Sequence, residues 1–531
     1  MFDVILIAGL GPAHLELEDL QYSYMDQSIS KDERDKAYQI GGRNFNPLTF
    51  YYTDFCGRKI PVLRENKFTV PSLIETTLRN ILDRGNIQYH FIAASNIWNN
   101  INIKEKCKIV CLSTSFMWSK YMVDYAITWI NTHICYDYLV LGGQYSSLKR
   151  DLIMNNYKNV DFLITGDAEL SLIELIQEIQ SGNRNYDHIP NLLYRVNDRV
   201  IATRDEIGDI NKYPTPSYKG EHAIIPYISM KGCVYNCKFC ALRQCVNKWQ
   251  YCTADKIVED WKSFIENNNV KHIDVNDSTF FIPYIKIQQL LPMLKELNVS
   301  WEANARADTP FCEKDIDDLE SSGCKALFFG FESMSDVTLE YMDKKTTSSL
   351  NRKINKMFCD TQIDTMMSFI VGFPGETITE FQKTREYLLT EHYGHFNVYV
   401  FEFEDKSMPI WKDRDKFQIE VYMDDNSGYF WKHGGLNWKH CGMDSNTANR
   451  LRNKLLRDIR KSNKTQAIHK SWQYNFEFPF VPELSRQENL KIEQLFDRLI
   501  YVALDYPNSE ERKAVLESII KKLEKMGVEK L

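Results

Sequence analysis

Short apolar runs alternate with amphipathic helical segments along most of this chain, and that alternation constrains the fold more than any other feature. Before residue 205, we predict strands at residues 4–8, 88–93, 108–113, 138–141 and 160–164. Helical spacing of the apolar residues predicts helices at residues 71–83, 122–131 and 170–179. Because strands that alternate with helices pair in parallel, residues 1–205 are predicted to form an α/β, doubly wound (Rossmann-like) domain.

A second stretch of alternation, residues 223–410, predicts a partial (β/α)6 barrel of the TIM type, with its chemistry at the carboxyl ends of the strands. The predicted strands are residues 224–228, 271–275, 300–303, 326–331, 364–371 and 396–403. The predicted helices are residues 254–266 (with Thr253 as N-cap), 285–297, 313–321, 350–358 and 378–389. Residues 206–222, which contain Pro214, Pro216 and Gly220, are predicted to link the two domains.

The remaining residues, 411–531, lose the alternation and are predicted to form a mostly helical domain that caps the barrel mouth, with helices at 447–462, 487–501 and 510–526. The aromatic stretch at 424–446, with Tyr429, Phe430, Trp431 and Trp438, is predicted to be core rather than a substrate cage. Residues 9–70 form a long insertion after the first strand. It is either a lid or substrate-recognition element, or a lineage-specific insertion without a role in the site.

Composition limits the classes of function. A net charge of −7 argues against a broad nucleic-acid-binding surface. The 13 cysteines are odd in number and irregularly spaced, so they predict no disulfide framework and indicate a reducing, cytoplasmic compartment. The amino terminus lacks a basic region and no run of 18 apolar residues occurs, so neither a signal peptide nor a membrane span is predicted.

Three closely spaced cysteines follow the first predicted strand of the barrel, namely Cys233, Cys237 and Cys240 in the pattern C-x3-C-x2-C. Three thiolates can hold three irons of a 4Fe–4S cluster and leave the fourth iron open to a small molecule. Two other interpretations remain open at this point. The C-x2-C pair could be half of a zinc site completed by Cys245 and Cys252, or the thiols could be inert and buried.

The cysteine motif resembles the signature of the radical S-adenosylmethionine (SAM) superfamily, C-x3-C-x-aromatic-C, with Phe239 as the aromatic residue. The resemblance implies that the open iron binds SAM, which is reductively cleaved to a 5′-deoxyadenosyl radical. It implies that Arg306 grips the SAM carboxylate and that Glu332 accepts from an amino group or a ribose hydroxyl. The residues that the resemblance assigns to SAM are Phe239, Asn276, Asp277, Ser278, Arg306, Glu332, Val371 and Gly372. Taken singly, the strand-end residues among them are equally explained as ordinary turns or salt bridges.

The order of elements before the cysteine loop resembles the cobalamin-binding domain that precedes the radical core in one large subclass of this superfamily. Small and polar residues end its predicted strands, where parallel sheets bind ligands. The residues that the resemblance assigns to cobalamin are Ser113, Thr114, Ser115, Gly142, Gly143, Gln144, Gly166 and Glu169. Glycine-rich turns also occur in parallel sheets without a cofactor. The D-x-H-x-x-G motif of some cobalamin proteins is absent, and His14 is predicted to be a surface or capping residue.

The resemblance to cobalamin-dependent radical SAM enzymes, from near residue 1 to about residue 410, implies a methyltransferase. Its reaction would methylate an unactivated carbon or a phosphinate phosphorus, using a 5′-deoxyadenosyl radical and methylcobalamin. Two alternatives stand beside it: the same cofactors without methyl transfer (cyclisation, ring contraction or epimerisation), and a non-catalytic cobalamin or SAM sensor. The implied partners are a small-molecule or peptide substrate and an electron donor such as flavodoxin or ferredoxin, with no membrane or nucleic acid. No residue is assigned as a catalytic acid or base.

Overall fold

The computed structural model describes residues 3–9, 39–40, 43–44, 70–98, 104–117, 120–197, 199–240, 242, 248–403, 406, 408–422, 437–462, 464–470 and 484–528. Nearly all of the insertion at 9–70, including His14, lies outside these residues, as do Cys245 and the aromatic residues Tyr429, Phe430 and Trp431. The roles predicted for those residues therefore stay predictions.

Seven strands form the sheet of the N-terminal domain: β1 Val4–Ala8, β2 Tyr89–Ala93, β3 Ile109–Ser113, β4 Tyr138–Gly142, β5 Phe162–Ile164, β6 Leu192–Val196 and β7 Arg199–Ala202. Their order across the sheet is β7-β6-β5-β4-β3-β1-β2. Strands β1 to β5 pair in parallel, whereas β6 and β7 pair antiparallel. The parallel part has the order 2-1-3-4-5, that of flavodoxin-like doubly wound sheets. The predicted fold class is confirmed; the hairpin of β6 and β7 was not predicted.

Helices cover both faces of this sheet, as the doubly wound arrangement requires. Leu73–Arg84 and Leu172–Ser181 pack on one face with an apolar core that includes Ile81 and Leu175. The other face is covered by Lys120–His133 and Arg150–Asn156, together with the short helices Ser95–Trp98 and Gln144–Leu148. All five residues of β1 are buried, because this strand lies between two neighbours and under helices on both sides.

The barrel sheet also has seven strands: β8 Ile224–Tyr227, β9 His272–Val275, β10 Ser300–Ala305, β11 Cys324–Glu332, β12 Asp364–Val371, β13 Tyr393–Val400 and β14 Gln466–His469. They are ordered as in the sequence and every neighbouring pair is parallel, with β8 and β14 at the two edges. The helices between them are Ala254–Asn268, Tyr284–Lys295, Glu313–Ser321, Asp336–Tyr341, Ser348–Phe358, Ile378–Thr390 and Ser445–Lys461. Thr253 caps the first of these helices as predicted, its side chain accepting a hydrogen bond from the backbone N–H of Lys256.

The six strands predicted for the barrel are present, and β14 adds a seventh that the sequence did not reveal. This strand is four residues long and lies in the segment that was assigned to the helical cap. It pairs with β13, so the sheet continues past residue 410. The helices after it, Arg486–Ile500, Val502–Asp505 and Ser509–Lys525, form a small core of their own. No helix in the described part of the chain is both long and apolar enough to span a bilayer.

Shorter elements complete the described chain. Two-stranded ladders pair Gln39–Ile40 with Arg43–Asn44, Glu105–Lys106 with Ile134–Cys135, Met230–Lys231 with Gln250–Tyr251, and Glu420–Tyr422 with Asn437–Lys439. Short 3-10 turns occur at Ala168–Leu170, Ile210–Lys212 and Pro409–Asp413, and a single helical turn at Arg414–Phe417.

A buried charge network joins the C-terminal helices to the barrel. The carboxylate of Asp364, at the start of β12, lies 2.9 Å from Nδ1 of His395, 3.7 Å from Lys470 and 3.9 Å from Arg486. His395 also contacts Glu493 of the helix Arg486–Ile500. Burial alone would raise the pKa of Asp364, but the three neighbouring cations outweigh burial and lower it. Asp364 is therefore ionised and neutralises a group of buried cations.

We expect Asp364→Asn to lower the free energy of unfolding by about 3–5 kcal/mol, because it leaves buried cations without their counter-charge. Chemical denaturation followed by circular dichroism would measure the loss. Asp317→Asn, on an exposed face of the helix Glu313–Ser321, is the matched control and should change stability by less than about 0.5 kcal/mol. Equal stability of the two variants would contradict the structural role assigned to the network.

Candidate active site

Two cavities lie where strands of the two sheets end. One, which we call the cysteine cavity, has a volume of about 1080 Å³ and contains residues of the cysteine loop and of the barrel strands. The other, the interdomain cavity, has a volume of about 940 Å³ and lies between the strand ends of the N-terminal domain and β8 of the barrel. Asp274 and Asn276 line both cavities, so these residues form a shared wall.

The cysteine loop begins directly after the short ladder of Met230–Lys231 with Gln250–Tyr251. Gly232 then takes a left-handed φ of +77°, which a residue with a side chain rarely adopts. The backbone N–H of Cys240 donates to the carbonyl of Cys237 at 3.1 Å and closes a tight turn. As a result Cys233, Cys237 and Cys240 all line the cysteine cavity.

Cationic side chains lie beside the central thiol of this loop. Burial raises the pKa of Cys237, while Lys344 and Arg306 act in the opposite direction. Nη1 of Arg306 lies 3.9 Å from the sulfur of Cys237 and donates to it. Donors and positive charge around a thiolate are typical of cysteines that bind metal, since they offset its negative charge.

The thiols fit a cluster better than a single ion. Within the described ranges, no three His, Cys, Asp or Glu side chains lie close enough together to hold one metal ion. Cys252, which the zinc interpretation requires, is 2% exposed and packs in the barrel core. Three thiols around one cavity, next to cationic groups, match the donor set of an iron–sulfur cluster in which each sulfur binds a different iron.

Five of the residues assigned to SAM line the cysteine cavity: Phe239, Asn276, Ser278, Arg306 and Glu332. Asp277, Val371 and Gly372 do not. Val371 is fully buried, and a Cβ on Gly372 would lie 2.5 Å from the ring of Trp438. Trp438 is 3% exposed and packs in the core, as the sequence predicted for the aromatic stretch.

Arg306 is already occupied by protein partners, which differs from its predicted grip on the SAM carboxylate. Its Nε and Nη2 donate to the two carboxylate oxygens of Asp308 at 2.8 and 3.0 Å. Nη2 also donates to the carbonyl of Lys344 at 2.5 Å, and Nη1 to Cys237. The guanidinium stacks on the ring of Tyr235 at 3.4 Å. Arg306 therefore positions the cysteine loop.

The loop after β9 also supports the cysteine loop. The carboxylate of Asp277 accepts from the backbone N–H of Ser229 at 2.7 Å and from its hydroxyl. Ser278 donates to the carbonyl of Gly232 at 2.9 Å. Asn304 donates to the carbonyl of Asp277 at 2.8 Å. Two successive barrel strands thus fix the approach to the first cysteine.

Lys344 is a residue that sequence analysis missed. Its Nζ lies 2.7 Å from the carboxylate of Glu332, and the side chains of both are 7% exposed. It also lies 5.5 Å above the ring of Phe239. Glu332 has a left-handed φ of +60° at an irregularity in the β11–β12 ladder, a backbone strain that active sites often carry. No local pattern around Lys344 distinguishes it from an exposed lysine.

Seven of the eight residues assigned to cobalamin line the interdomain cavity: Ser113, Ser115, Gly142, Gly143, Gln144, Gly166 and Glu169. Thr114 is instead fully buried. Its hydroxyl donates to the carbonyl of Gly142 at 2.8 Å and lies 2.7 Å from the hydroxyl of Ser146. Gly143 has a φ of +101° and no room for a Cβ beside Ser115, so glycine is needed there for the backbone path.

An ion cluster joins this cavity to the cysteine loop. Nζ of Lys231, two residues before Cys233, lies 2.7 Å from Asp167 and 3.7 Å from Glu169. Lys231 also lies 4.5 Å above the ring of Tyr213, whose hydroxyl donates to Asp167 at 2.7 Å. The loop after β5 is thereby tied to the start of the cysteine motif.

The loop after β12 depends on a buried acid, Glu376. Its Oε2 accepts from the backbone N–H of Gly372 at 2.6 Å, and its Oε1 has no hydrogen-bond partner among the described residues. Burial raises the pKa of Glu376 to about 8, and the charge of Glu380 adds to this. Glu376 is therefore protonated in the folded chain at neutral pH.

The raised pKa predicts a stability that falls as pH rises. Between its ordinary value and about 8, the unfolded chain releases the proton of Glu376 while the folded chain keeps it. We expect the wild-type chain to lose roughly 2–4 kcal/mol of unfolding free energy from this group between pH 5 and pH 8. Denaturation at a series of pH values measures this pH dependence of the unfolding free energy. Glu376→Gln should remove the pH dependence, whereas Glu386→Gln, exposed on the next helix, should keep it. If the pH dependence of the unfolding free energy were unchanged in Glu376→Gln, the raised pKa of Glu376 would be contradicted.

The central part of the chain matches a known protein-family model. Residues 227–388 match the family model of the Radical SAM superfamily. The chain is 27% identical over 305 residues to a Pyrococcus horikoshii protein named uncharacterized methyltransferase PH0819, covering 54% of this chain and 65% of that protein. It is 23% identical over 265 residues to the anaerobic magnesium-protoporphyrin IX monomethyl ester cyclase of Rubrivivax gelatinosus, covering 46% and 47%. The chain thus spans less than two thirds of the length of these relatives.

Solved structures resemble a larger part of this chain than these relatives do. The radical SAM methyltransferase TsrM from Kitasatospora setae superposes with a TM-score of 0.59 at 12% identity, covering 95% of this chain and all of TsrM. The cobalamin-dependent SAM radical enzyme OxsB superposes with a TM-score of 0.56 at 15% identity, covering 88% and 78%. Together these comparisons show that residues 227–388 match the Radical SAM family model and that the chain shares the fold of TsrM and OxsB.

Proposed function

We propose that this chain is a cobalamin-dependent radical SAM methyltransferase that acts on an unactivated carbon or a phosphinate centre. The observation that carries the proposal is the shared wall of the two cavities, where Asp274 and Asn276 face both the cysteine loop and the strand ends of the doubly wound domain. A substrate beside this wall would have the cluster and SAM on one side and cobalamin on the other.

The walls of the interdomain cavity suit a large cofactor with apolar edges. Glycines at the ends of β4 and β5 keep the strand ends open, and apolar side chains such as Ile74, Leu141 and Ile228 line the space. Its position is the carboxyl-end edge of a doubly wound sheet, where such folds bind their ligands. The related structures add support, since TsrM was solved with cobalamin and a 4Fe-4S cluster and OxsB with aqua-cobalamin and SAM.

When bound, the cluster and SAM would supply the 5′-deoxyadenosyl radical and cobalamin would supply the methyl group. The chain's own residues would hold and orient these groups. The three cysteines would bind the cluster, and Arg306 and Lys344 would offset the charge of the thiolates. Phe328 and Met366, from β11 and β12, would form an apolar wall that keeps water from a reactive intermediate.

A second candidate keeps the same cofactors without methyl transfer. The relative from Rubrivivax gelatinosus is named a cyclase, and it matches nearly half of this chain. Turnover with methyl-deuterated SAM separates the two candidates. A product that carries the deuterated methyl group supports methyl transfer, and a modified product without that group supports the second candidate.

We expect the anaerobically reconstituted wild-type chain to bind close to four irons and to release 5′-deoxyadenosine from SAM under reducing conditions. The triple variant Cys233/Cys237/Cys240→Ala should lose both properties. The matched control replaces three exposed cysteines elsewhere, Cys135/Cys312/Cys441→Ala, and should keep both. Iron retained in the first variant would refute the cluster assignment, and zinc in its place would revive the zinc interpretation.

Cobalamin binding can be tested at Gly142. A Cβ at this position meets Ile164 at an ordinary 3.7 Å, so a side chain is tolerated and projects into the interdomain cavity. We expect Gly142→Phe to weaken hydroxocobalamin binding about tenfold or more, a cost of ~1.4 kcal/mol, and Gly142→Ala to change it little. Spectrophotometric titration measures both. Equal binding by Gly142→Phe and wild type would exclude this cavity as the cobalamin site.

A further inference from the structure

Two carboxylates that were assigned to no cofactor lie side by side in the barrel interior. Asp274 on β9 and Glu302 on β10 are direct neighbours in the parallel ladder. Both line the cysteine cavity, and Asp274 also lines the interdomain cavity. Glu302 is only 3% exposed, and its Oε2 accepts no hydrogen bond from the described residues.

A histidine lies one layer below this pair. Nε2 of His272 lies 3.5 Å from Oε2 of Glu302. Its Nδ1 is 2.9 Å from the hydroxyl of Ser300, and that hydroxyl donates its hydrogen to the carbonyl of Lys271. His272 therefore lies beside Glu302, and Asp274 adds a second carboxyl group to the same layer.

Three of the cationic side chains that line the cysteine cavity are committed to other acids, and Lys412, which also lines it, is exposed. Arg306 is paired with Asp308, Lys344 with Glu332 and Lys238 with Asp413. In the part of the chain that the structure describes, no lysine or arginine forms an ion pair with Asp274 or Glu302.

Apart from Glu302 and His272, the polar groups near Asp274 are uncharged. They are the amide of Asn276, which donates to the carbonyl of Asp274 itself, and the hydroxyl of Tyr218, which donates to the carbonyl of Pro226. Asp274 is half-buried between the two cavities. A partly desolvated carboxylate without a lysine or arginine partner takes up a proton or a positively charged ligand. Burial, with the charge of Glu302, raises the pKa of Asp274 to about 7, while Asn276 and His272 act in the opposite direction.

We propose that Asp274 and Glu302 bind a positively charged nitrogen of the substrate, an ammonium or guanidinium group. The inference rests on the proposed function, because it places the substrate at the wall between the two cavities. Oε2 of Glu302 accepts no hydrogen bond from the described residues, although it lies 3.5 Å from Nε2 of His272. It supplies a second acceptor beside Asp274, which is the arrangement that a group with several N–H donors requires. Phe328, Met366 and Tyr399, on the neighbouring strands, provide apolar surface for the rest of the substrate.

The test uses the chain reconstituted with its cluster and with SAM bound, because SAM itself carries a positive sulfonium. Benzylamine and benzyl alcohol serve as probes of nearly equal shape that differ in charge. We expect calorimetric titration at pH 8 to show benzylamine binding about tenfold tighter or more. Asp274→Asn should reduce benzylamine to the affinity of the alcohol, and Glu302→Gln should reduce it in part. At pH 5.5 the preference should shrink, because Asp274 is then protonated.

Asp343→Asn is the matched control, since Asp343 also lines the cysteine cavity and its partner is the exposed Lys345. Its left-handed φ of +53° suits asparagine, and the preference for benzylamine should persist. The proposal is overturned by equal affinity for the two probes, by a preference that survives Asp274→Asn, or by a failure of Asp274→Asn to bind SAM. Failure of the proposed function is a separate result, namely no 5′-deoxyadenosine from the wild-type chain.

Discussion

The hydrogen bonds that Arg306 makes are the constraint on which the site depends. One guanidinium contacts Asp308 in the loop after β10, the carbonyl of Lys344 after the helix Asp336–Tyr341, and the central thiol of the cysteine loop. Such a planar, multiply bonded cation fixes positions that a flexible ammonium would leave variable. The cysteine loop has little regular structure of its own, so its geometry is set by strand ends that the barrel core holds rigid.

The charged side chains beside the thiols and those near the shared wall differ in whether they have ion-pair partners. The cations near the thiols are paired with acids that orient them, which lets their field act on the sulfur atoms without leaving a buried charge unpaired. Asp274 on the shared wall and its neighbour Glu302 have no lysine or arginine partner among the described residues, and Nε2 of His272 lies 3.5 Å from Glu302. Most charged side chains inside an enzyme are neutralised by neighbouring protein groups. An ionisable side chain without such a partner is therefore a candidate for binding a ligand.

The C-terminal region is part of the barrel rather than an appendage to it. Strand β14 continues the sheet, and the network around Asp364 ties the following helices to β12 and β13. The backbone at Gly372 packs against the ring of Trp438 in the C-terminal region. The loop that was predicted to contact SAM therefore lies against this C-terminal segment.

The sequence alone determined the two β/α domains and the cysteine loop, because hydrophobic periodicity and ligand spacing are local properties of the chain. Most of the residues that it assigned to cofactors do line the two cavities, since the carboxyl ends of parallel strands meet at one edge. Only the tertiary structure decided that Arg306 binds Asp308 and Cys237, that Lys344 neutralises Glu332, and that Asp274 stands next to Glu302. The contacts of Arg306 with Cys237 and of Lys344 with Glu332 join residues far apart in the sequence, and Asp274 and Glu302 lie on different strands. Strand register is set by packing across the whole sheet, which no local pattern encodes.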